Sequence, residues 1–238
     1  MIGYASNTGT VRNLDALRAA GWRILLTPDN PTRREGLRYA IDNGAWKAFK
    51  QSQPFDAYAF ESLVARHSSD ADFIVVPDIV AGGMKSLEFS LSWFPRLKGA
   101  AKLLLPVQDG MGPHCVVTAL TESPSIGIFL GGSTEWKLKT MFDWGVIAAS
   151  LRRHYHVGRV NTARRIRLAE EAGATSFDGT SATMFSCTLP LLESSRQNRS
   201  LFSARRGMTT QQHQPGPDGR TEATQWNRPP SSPAPTAG

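Results

Sequence analysis

The chain has 238 residues, of which 40% are hydrophobic, and its formal net charge is +7. This length and apolar content are enough for one substantial core and marginal for two. The two cysteines, Cys115 and Cys187, are too few for a disulfide framework or a four-cysteine zinc site, and no apolar run approaches the roughly 20 residues of a membrane helix.

The two ends of the chain differ in character from its middle. The opening residues, MIGYASNTGT, lack the basic and apolar regions of a secretory signal, so we expect a soluble, cytoplasmic protein without a membrane partner. Residues 207–238 are rich in Pro, Gly, Gln, Ser and Thr, and such a segment buries too little apolar surface to offset its ordering entropy. We therefore predict one folded domain over residues 1–206 and a disordered tail over residues 207–238.

Short apolar and β-branched runs predict eight strands along the chain. In order they cover residues 2–5, 23–28, 38–42, 73–78, 102–108, 126–132, 154–159 and 174–178. Several, such as FIVVPD and KLLLPVQ, are almost continuously apolar, which is typical of parallel strands that are covered on both faces.

Amphipathic segments between these runs predict helices. The clearest are VRNLDALRAAG (11–21), DAYAFESLVARH (56–67), TEWKLKTMFDWGVIAASLRR (134–153) and NTARRIRLAEEAG (161–173), the last with Asn161 as its N-cap. Eight strands that alternate with helices or long connections over about 200 residues predict an α/β fold, a compact (β/α)₈ TIM-type barrel. A doubly wound parallel sheet is the alternative.

Functional side chains cluster where the predicted strands end. The strand ends carry Asp42, Asp78, Gln108, Gly131, Gly132, Arg159 and Asp178. Because a barrel of this class places its chemistry at the C-terminal ends of its strands, these residues would share one mouth. The small and hydroxyl residues that follow Asp178 would leave room there for a substrate.

Each of these residues also has a purely structural interpretation. Asp42 begins an Asp-Asn-Gly turn sequence, and Asp78 is placed to cap the helix that follows it. We interpret the aromatic residues Trp46 and Phe49 as packing rather than base-stacking residues. The histidines His67, His154 and His156 are not expected to bind a metal, since no carboxylate or cysteine lies at ligand spacing.

A basic segment lies before and after the seventh predicted strand. Between Asp143 and Glu170 there are six arginines and two histidines but no acidic residue. Guanidinium groups pair well with phosphate oxygens, so the segment favours a nucleic-acid partner, with a solvated helix face as the alternative. The candidate nucleic-acid contacts are Arg159, Asn161, Arg164 and Arg165.

In this order the strand-end motifs resemble those of the tRNA-guanine transglycosylase superfamily. The motifs are AIDNGAW, VVPDI, LLPVQDG, IFLGGS and HVGRVNTARRIRLAEEAGATSFDGTSA, spread from Ala40 to about Phe185. Each is short, and the resemblance depends on their order and spacing. It implies an enzyme that exchanges a base in a polynucleotide while the chain stays intact.

The resemblance implies a role for each strand-end residue. Asp178 would be the nucleophile that attacks the sugar C1′ and forms a covalent intermediate, and Asp42 would move protons as general acid and base. Asp78 would accept the N1–H and the exocyclic amine of guanine. The side chain of Gln108, with backbone N–H groups near Gly131 and Gly132, would donate to guanine O6.

One departure from the family points to a DNA substrate. Members that act on tRNA carry a Cys-x-Cys-x-x-Cys and distal His zinc subdomain after the nucleophile, whereas Cys187 stands alone here. The chain most resembles the shortened DNA 7-deazaguanine transglycosylases of phages and bacterial DNA-modification islands, which shield DNA from restriction nucleases. We expect DNA and a free 7-deazaguanine base, such as 7-cyano-7-deazaguanine, as partners, with no zinc or other cofactor. If phage-encoded, the protein would act in the host bacterial cytoplasm.

Other functions stay open at this point. The same chemistry on tRNA is the first alternative, and an aldolase or glycoside hydrolase built on barrel carboxylates is the second. The third is a nucleic-acid-binding relative without catalysis. The oligomeric state is left open.

Overall fold

The structure is a computed structural model that describes residues 1–6, 10–29, 36–184 and 188–197. Eight parallel strands pair in chain order and close into a barrel, with the first strand beside the last. The predicted (β/α)₈ barrel is therefore confirmed. The predicted tail at residues 207–238, and the boundary at residue 206, lie outside the described residues.

Every predicted strand is present, although most are shorter than the apolar run that predicted them. The strands are β1 (Ile2–Ser6), β2 (Arg23–Leu26), β3 (Tyr39–Ile41), β4 (Ile74–Val75), β5 (Leu103–Val107), β6 (Gly127–Leu130), β7 (Tyr155–Val157) and β8 (Ser176–Gly179). Closure pairs Tyr4 of β1 with Asp178 of β8. Because β3 ends at Ile41 and β4 ends at Val75, Asp42 and Asp78 follow their strands rather than ending them. Their side chains therefore lie at the mouth of the barrel.

Helices connect most of the strands. They are α1 (Val11–Ala19), α2 (Ala45–Lys50), α3 (Ala57–His67), α4 (Gly83–Trp93), α5 (Pro113–Glu122), α6 (Thr134–Ser150), α7 (Ala163–Glu171), α8 (Ser181–Met184) and α9 (Thr188–Gln197), with a 3₁₀ turn at Ser68–Asp70. Between β2 and β3 the described residues contain no helix. None of the helices in the described ranges is long and apolar enough to cross a membrane.

The predicted N-cap of α7 is wrong by one residue. Thr162 is the cap, and its hydroxyl accepts a hydrogen bond from the Arg165 N–H at 3.3 Å. The side-chain oxygen of Asn161 instead accepts from the Thr180 N–H at 2.9 Å, across the mouth of the barrel. Asn161 therefore ties the loop after β7 to the loop after β8.

Alternation along the strands separates two apolar layers. Inside the barrel, Tyr4, Leu25, Ala40, Phe73, Val75 and Leu104 form a small core. A larger core fills the space between the strands and the helices. Because successive strand residues face opposite sides, Phe177 packs outward on Trp22, whereas its neighbours Ser176 and Asp178 face the interior.

Candidate active site

A cavity of about 420 Å³ opens at the C-terminal ends of the strands. Nine of the ten predicted site residues line it: Asp42, Asp78, Gln108, Gly131, Gly132, Arg159, Asn161, Arg165 and Asp178. The tenth, Arg164, is exposed on α7 and is not part of the lining. Leu25, Val75 and Phe129 also line the cavity, and they belong to or pack on the barrel interior.

Asp178 lies on β8 and is only 4% exposed. Its Oδ1 accepts the backbone N–H of Arg159 at 3.2 Å, and its Oδ2 lies 3.1 Å from Nε2 of His156. The following glycine has a packing reason of its own, since a Cβ on Gly179 would lie 2.6 Å from the carbonyl oxygen of Val160. Gly179 is therefore small because the loop after β7 crosses it, and not only to admit a substrate.

Asp42 follows β3 and faces the same cavity. Its Oδ2 accepts the backbone N–H of Gly44 at 3.3 Å. Burial, followed by the negative charges of Asp178 and Asp78, raises the pKa of Asp42 to about 7. A carboxyl group with this pKa can both give and take a proton near neutral pH, as a general acid and base must.

Asp78 is held by two amide side chains. Nδ2 of Asn43 donates to its Oδ1 at 2.8 Å, and Nε2 of Gln108 donates to its Oδ2 at 3.0 Å. Burial raises the pKa of Asp78 to about 6, against the opposing effect of these hydrogen bonds and of the Arg159 charge. Near neutral pH the group is mainly an ionised acceptor with a fixed orientation.

Two of the predicted donors to a base are already engaged. The amide nitrogen of Gln108 also donates to the Ser86 hydroxyl at 2.6 Å, so both of its N–H bonds are used, and the side-chain oxygen accepts from the Ala81 N–H. The Gly131 N–H donates to the Val107 carbonyl at 2.8 Å. In this arrangement Gln108 orients Asp78 rather than offering a free donor, and the donor role of Gly132 stays a prediction.

The aromatic residues after Asp42, which we interpreted as packing residues, lie at the rim of the cavity and contact each other. Trp46 is 41% exposed and lines the cavity, and Phe49 stacks on it with ring centroids 5.9 Å apart. The guanidinium of Arg159 lies over the indole ring and donates to the Gly132 carbonyl. Phe49, Trp46 and Arg159 thus form a stack at the rim of the cavity.

The basic segment does not form one surface. Arg152 and Arg153 precede β7 and lie at the end of the barrel away from the cavity, where Arg153 donates to the Leu120 carbonyl at 2.8 Å. Arg159 and Arg165 follow β7 and line the cavity. The strand β7 lies between the two groups, so only the arginines that follow it are placed to meet a substrate at the cavity.

Three further residues act on the site, although we did not predict them: Asn43 lines the cavity, whereas Lys137 and His156 are not part of its lining. Asn43 is 4% exposed and bonds Asp78, but its place in Asp-Asn-Gly indicated only a turn. Lys137 donates to the Gly158 carbonyl, and burial, with the nearby Arg159 charge, lowers its pKa to about 7. His156 could have been found from the sequence, because His154 and His156 are two positions apart along the β7 segment, as Ser176 and Asp178 are on β8, and residues at this spacing share one face of a strand.

No protein-family profile matches the chain, and no curated protein matches it either. Among the described residues, no group of three or more His, Cys, Asp or Glu side chains is placed to hold a metal ion.

Proposed function

We propose that this protein is a base-exchange transglycosylase that replaces guanine in DNA with a 7-deazaguanine base. The observation that carries the proposal is the convergence of Asp42, Asp78 and Asp178 on one cavity, with the first two shifted to pKa values of about 7 and about 6. Strongly shifted carboxyl groups in a cleft are typical of a site that moves protons.

In the first half-reaction, a carboxylate oxygen of Asp178 attacks the sugar C1′ as the C1′–N9 bond breaks. The departing guanine takes the electron pair of that bond and a proton from Asp42, which becomes a carboxylate. The sugar is then joined to Asp178 as a glycosyl ester, and the phosphodiester chain is unchanged. The pKa of about 7 leaves a substantial protonated fraction of Asp42 for this step.

The second half-reaction reverses the first with a different base. The incoming 7-deazaguanine gives its N9 proton to the Asp42 carboxylate, and its N9 attacks C1′ as the ester bond to Asp178 breaks. Asp178 leaves as a carboxylate, and Asp42 is protonated again. Protons and charges balance over the cycle, so no cofactor is needed.

The orientation of Asp78 supports recognition of a guanine-like base. An ionised carboxylate matches the adjacent N1–H and exocyclic amine that guanine and 7-deazaguanines share. Because Asn43 and Gln108 hold its two oxygens in place, Asp78 cannot turn away to suit a base that lacks these donors. A site with fixed acceptors rejects an analogue that leaves them unpaired.

The rim of the cavity supports a nucleic-acid substrate. A duplex base must be extruded to reach a barrel mouth, at a cost of roughly a few kcal/mol. The Arg159 guanidinium, which rests on the Trp46 ring, offers a flat cationic stacking surface beside the entrance, and Arg165 adds a second guanidinium. These contacts would offset the unstacking of the extruded nucleotide.

The proposal is tested by supplying 7-cyano-7-deazaguanine to cells that express the protein and analysing the nucleosides of their DNA and tRNA by mass spectrometry. We expect a deazaguanine deoxynucleoside with the wild-type protein and none with Asp178→Ala. The control is Asp143→Ala, which removes an exposed aspartate on α6 and should leave the modification intact. Modified nucleoside in tRNA alone would replace DNA with tRNA as the substrate, and absence from both would overturn the proposal.

A further inference from the structure

A chain of hydrogen bonds runs beneath Asp178 through the barrel interior. Oδ2 of Asp178 lies 3.1 Å from Nε2 of His156, and Nδ1 of the same ring lies 2.8 Å from the Ser176 hydroxyl. The hydroxyl lies 2.7 Å from Nε2 of His154. Asp178 and Ser176 lie on β8, His156 lies on β7, and His154 lies just before β7. The two strands pair in parallel, with His156 opposite Ser176.

The donors and acceptors along this series of hydrogen bonds decide which ring nitrogen of His156 carries the hydrogen that faces Asp178. Carboxylate oxygens only accept, so Nε2 of His156 must carry a hydrogen. The Ser176 hydroxyl has one proton, which goes either to Nδ1 of His156 or to Nε2 of His154. In the first arrangement His156 carries its single hydrogen on Nε2; in the second its Nδ1 must donate to the hydroxyl as well, so the ring carries both hydrogens as an imidazolium. Every contact then has a donor and an acceptor, and in both arrangements the His156 Nε2–H points at Asp178.

The surroundings of His156 hold the ring in one orientation. It is fully buried, and it stacks on Phe129 with centroids 5.0 Å apart and planes 11° apart. The edges of Tyr4 and Phe73 close two other sides at 5.9 and 5.1 Å. Burying a polar ring among aromatic side chains costs free energy unless the ring is hydrogen-bonded. A hydrocarbon side chain would fill the same space without needing hydrogen-bond partners, so packing alone does not account for a histidine at this position.

We propose that His156 is a positioning residue for Asp178, and that Ser176 and His154 hold it in the form that donates from Nε2. The role of Asp178 as nucleophile rests on the function proposed above. His156 transfers no proton in the reaction. Its N–H holds the carboxylate toward the cavity before attack and stabilises the charge that returns to Asp178 when the glycosyl ester bond breaks.

The contact itself is tested without substrate by ¹⁵N NMR of the histidine rings in the intact protein. We expect a hydrogen on Nε2 of His156, and a change in that nitrogen's signal in Asp178→Asn that is absent from the surface residue His114. A bare Nε2, or a His156 signal that ignores Asp178→Asn, would overturn the proposal. This readout is independent of whether the protein exchanges bases.

The catalytic consequence is tested with two substitutions at the same position. His156→Leu removes the donor, and we expect the exchange rate to fall roughly 10- to 100-fold while affinity for the free base changes little. His156→Gln keeps an N–H near the Nε2 position and should restore part of the rate, whereas His114→Gln should match the wild type. Equal rates in wild type and His156→Leu would overturn the positioning role.

The two proposals fail in different ways. If the wild-type protein modifies neither DNA nor tRNA, the proposed function is overturned, and the NMR result still decides whether His156 holds Asp178. If His156→Leu does not fold, His156→Gln and Ser176→Ala carry the rate test. A parallel loss of thermal stability and base affinity in those variants, without a specific loss of rate, would reduce His156 to a structural residue.

Discussion

The guanidinium carbon of Arg159 lies 3.8 Å from the centre of the Trp46 ring at the rim of the cavity. Arg159 adopts a left-handed backbone conformation with φ of 56°, which is uncommon for a residue with a side chain. That conformation accompanies a backbone N–H bonded to Asp178 and a guanidinium placed over Trp46. One strained residue thus links the proposed nucleophile to the surface where a nucleotide would enter.

Trp46→Ala should weaken binding of single-stranded DNA about 10-fold, because Arg159 loses the ring that holds its guanidinium as a stacking surface, and base stacking contributes roughly 1–3 kcal/mol per base. Trp46→Phe should retain most of the affinity. Fluorescence anisotropy with a labelled oligonucleotide measures both, and Tyr58→Ala is the matched control because that side chain is also exposed, on α3. Equal losses for Trp46→Ala and Tyr58→Ala would remove Trp46 from the binding surface.

Gln108→Leu should weaken binding of a free 7-deazaguanine base by roughly 10-fold or more, because Asp78 loses the donor that orients it. The substitution also leaves the Ala81 N–H without its acceptor and leaves the Ser86 hydroxyl with the Ile79 N–H as its remaining partner, so thermal stability should fall too. Calorimetric titration and thermal denaturation separate the two effects. Gln53→Leu, at an exposed position, should change neither, and unaltered base affinity in Gln108→Leu would contradict the orienting role.

Base affinity should depend on the ionisation of Asp78, whose pKa is about 6. Below that pH the carboxyl group is protonated and accepts less well from the two donors of the base, so affinity should fall up to about tenfold per pH unit. Titrations between pH 5 and pH 8 measure this. Asp78→Asn should bind weakly at every pH and show no such slope; a slope that persists in this variant would assign the effect to another group.

The contribution of Asp42 to the free energy of unfolding should fall as pH rises, because its folded pKa is about 7 and its unfolded value is about 3.9. The folded state holds the Asp42 proton more tightly than the unfolded state does. The destabilising effect of the buried Asp42 carboxylate therefore grows between about pH 4 and pH 7 and is complete above pH 7. Asp42→Asn should therefore raise the free energy of unfolding by about 1–3 kcal/mol at pH 8, and by less at pH 5. Denaturant titrations at both pH values measure it, with Asp143→Asn as the exposed control.

Arg164→Ala combined with Arg165→Ala should weaken DNA binding and reduce the slope of log affinity against log salt by up to about 2. The two guanidinium groups lie at the cavity end of the barrel, on α7. Arg152→Ala combined with Arg153→Ala removes the same charge at the opposite end and should leave the slope unchanged. Identical slopes in the two double variants would mean that DNA does not approach the cavity end.

Much of the fold could be predicted because parallel strands buried on both faces have a distinctive composition. Runs such as FIVVPD and KLLLPVQ have few alternatives in a folded chain, so all eight strands were found in the correct order. Element boundaries were less certain. The cap of α7 moved from Asn161 to Thr162 because Asn161 bonds Thr180, a residue that is distant in sequence.

The positions of the candidate carboxyl groups were also predictable, since a barrel places the residues that follow its strands around one mouth. Their partners were not. Asn43 resembles a turn residue in sequence, because its hydrogen bond to Asp78 joins residues 35 positions apart. Trp46 resembles a packing residue, because the exposure of its side chain cannot be read from the neighbouring residues. The alternation of His154 and His156 was readable, but its meaning depends on the register between β7 and β8.

By itself, then, the sequence determined an α/β fold with eight parallel strands in order and three aspartates at or just after strand ends, because the apolar composition of a buried strand can be read locally. Closure of the sheet into a barrel is a property of the tertiary structure. Only the tertiary structure decided which of those aspartates are shifted in pKa, what holds each carboxylate, and which arginines share their end of the barrel. Those properties depend on desolvation and on distances between residues up to 136 positions apart, such as Asp42 and Asp178. Hydrogen bonds and Coulomb interactions of that kind exist only once the barrel has closed.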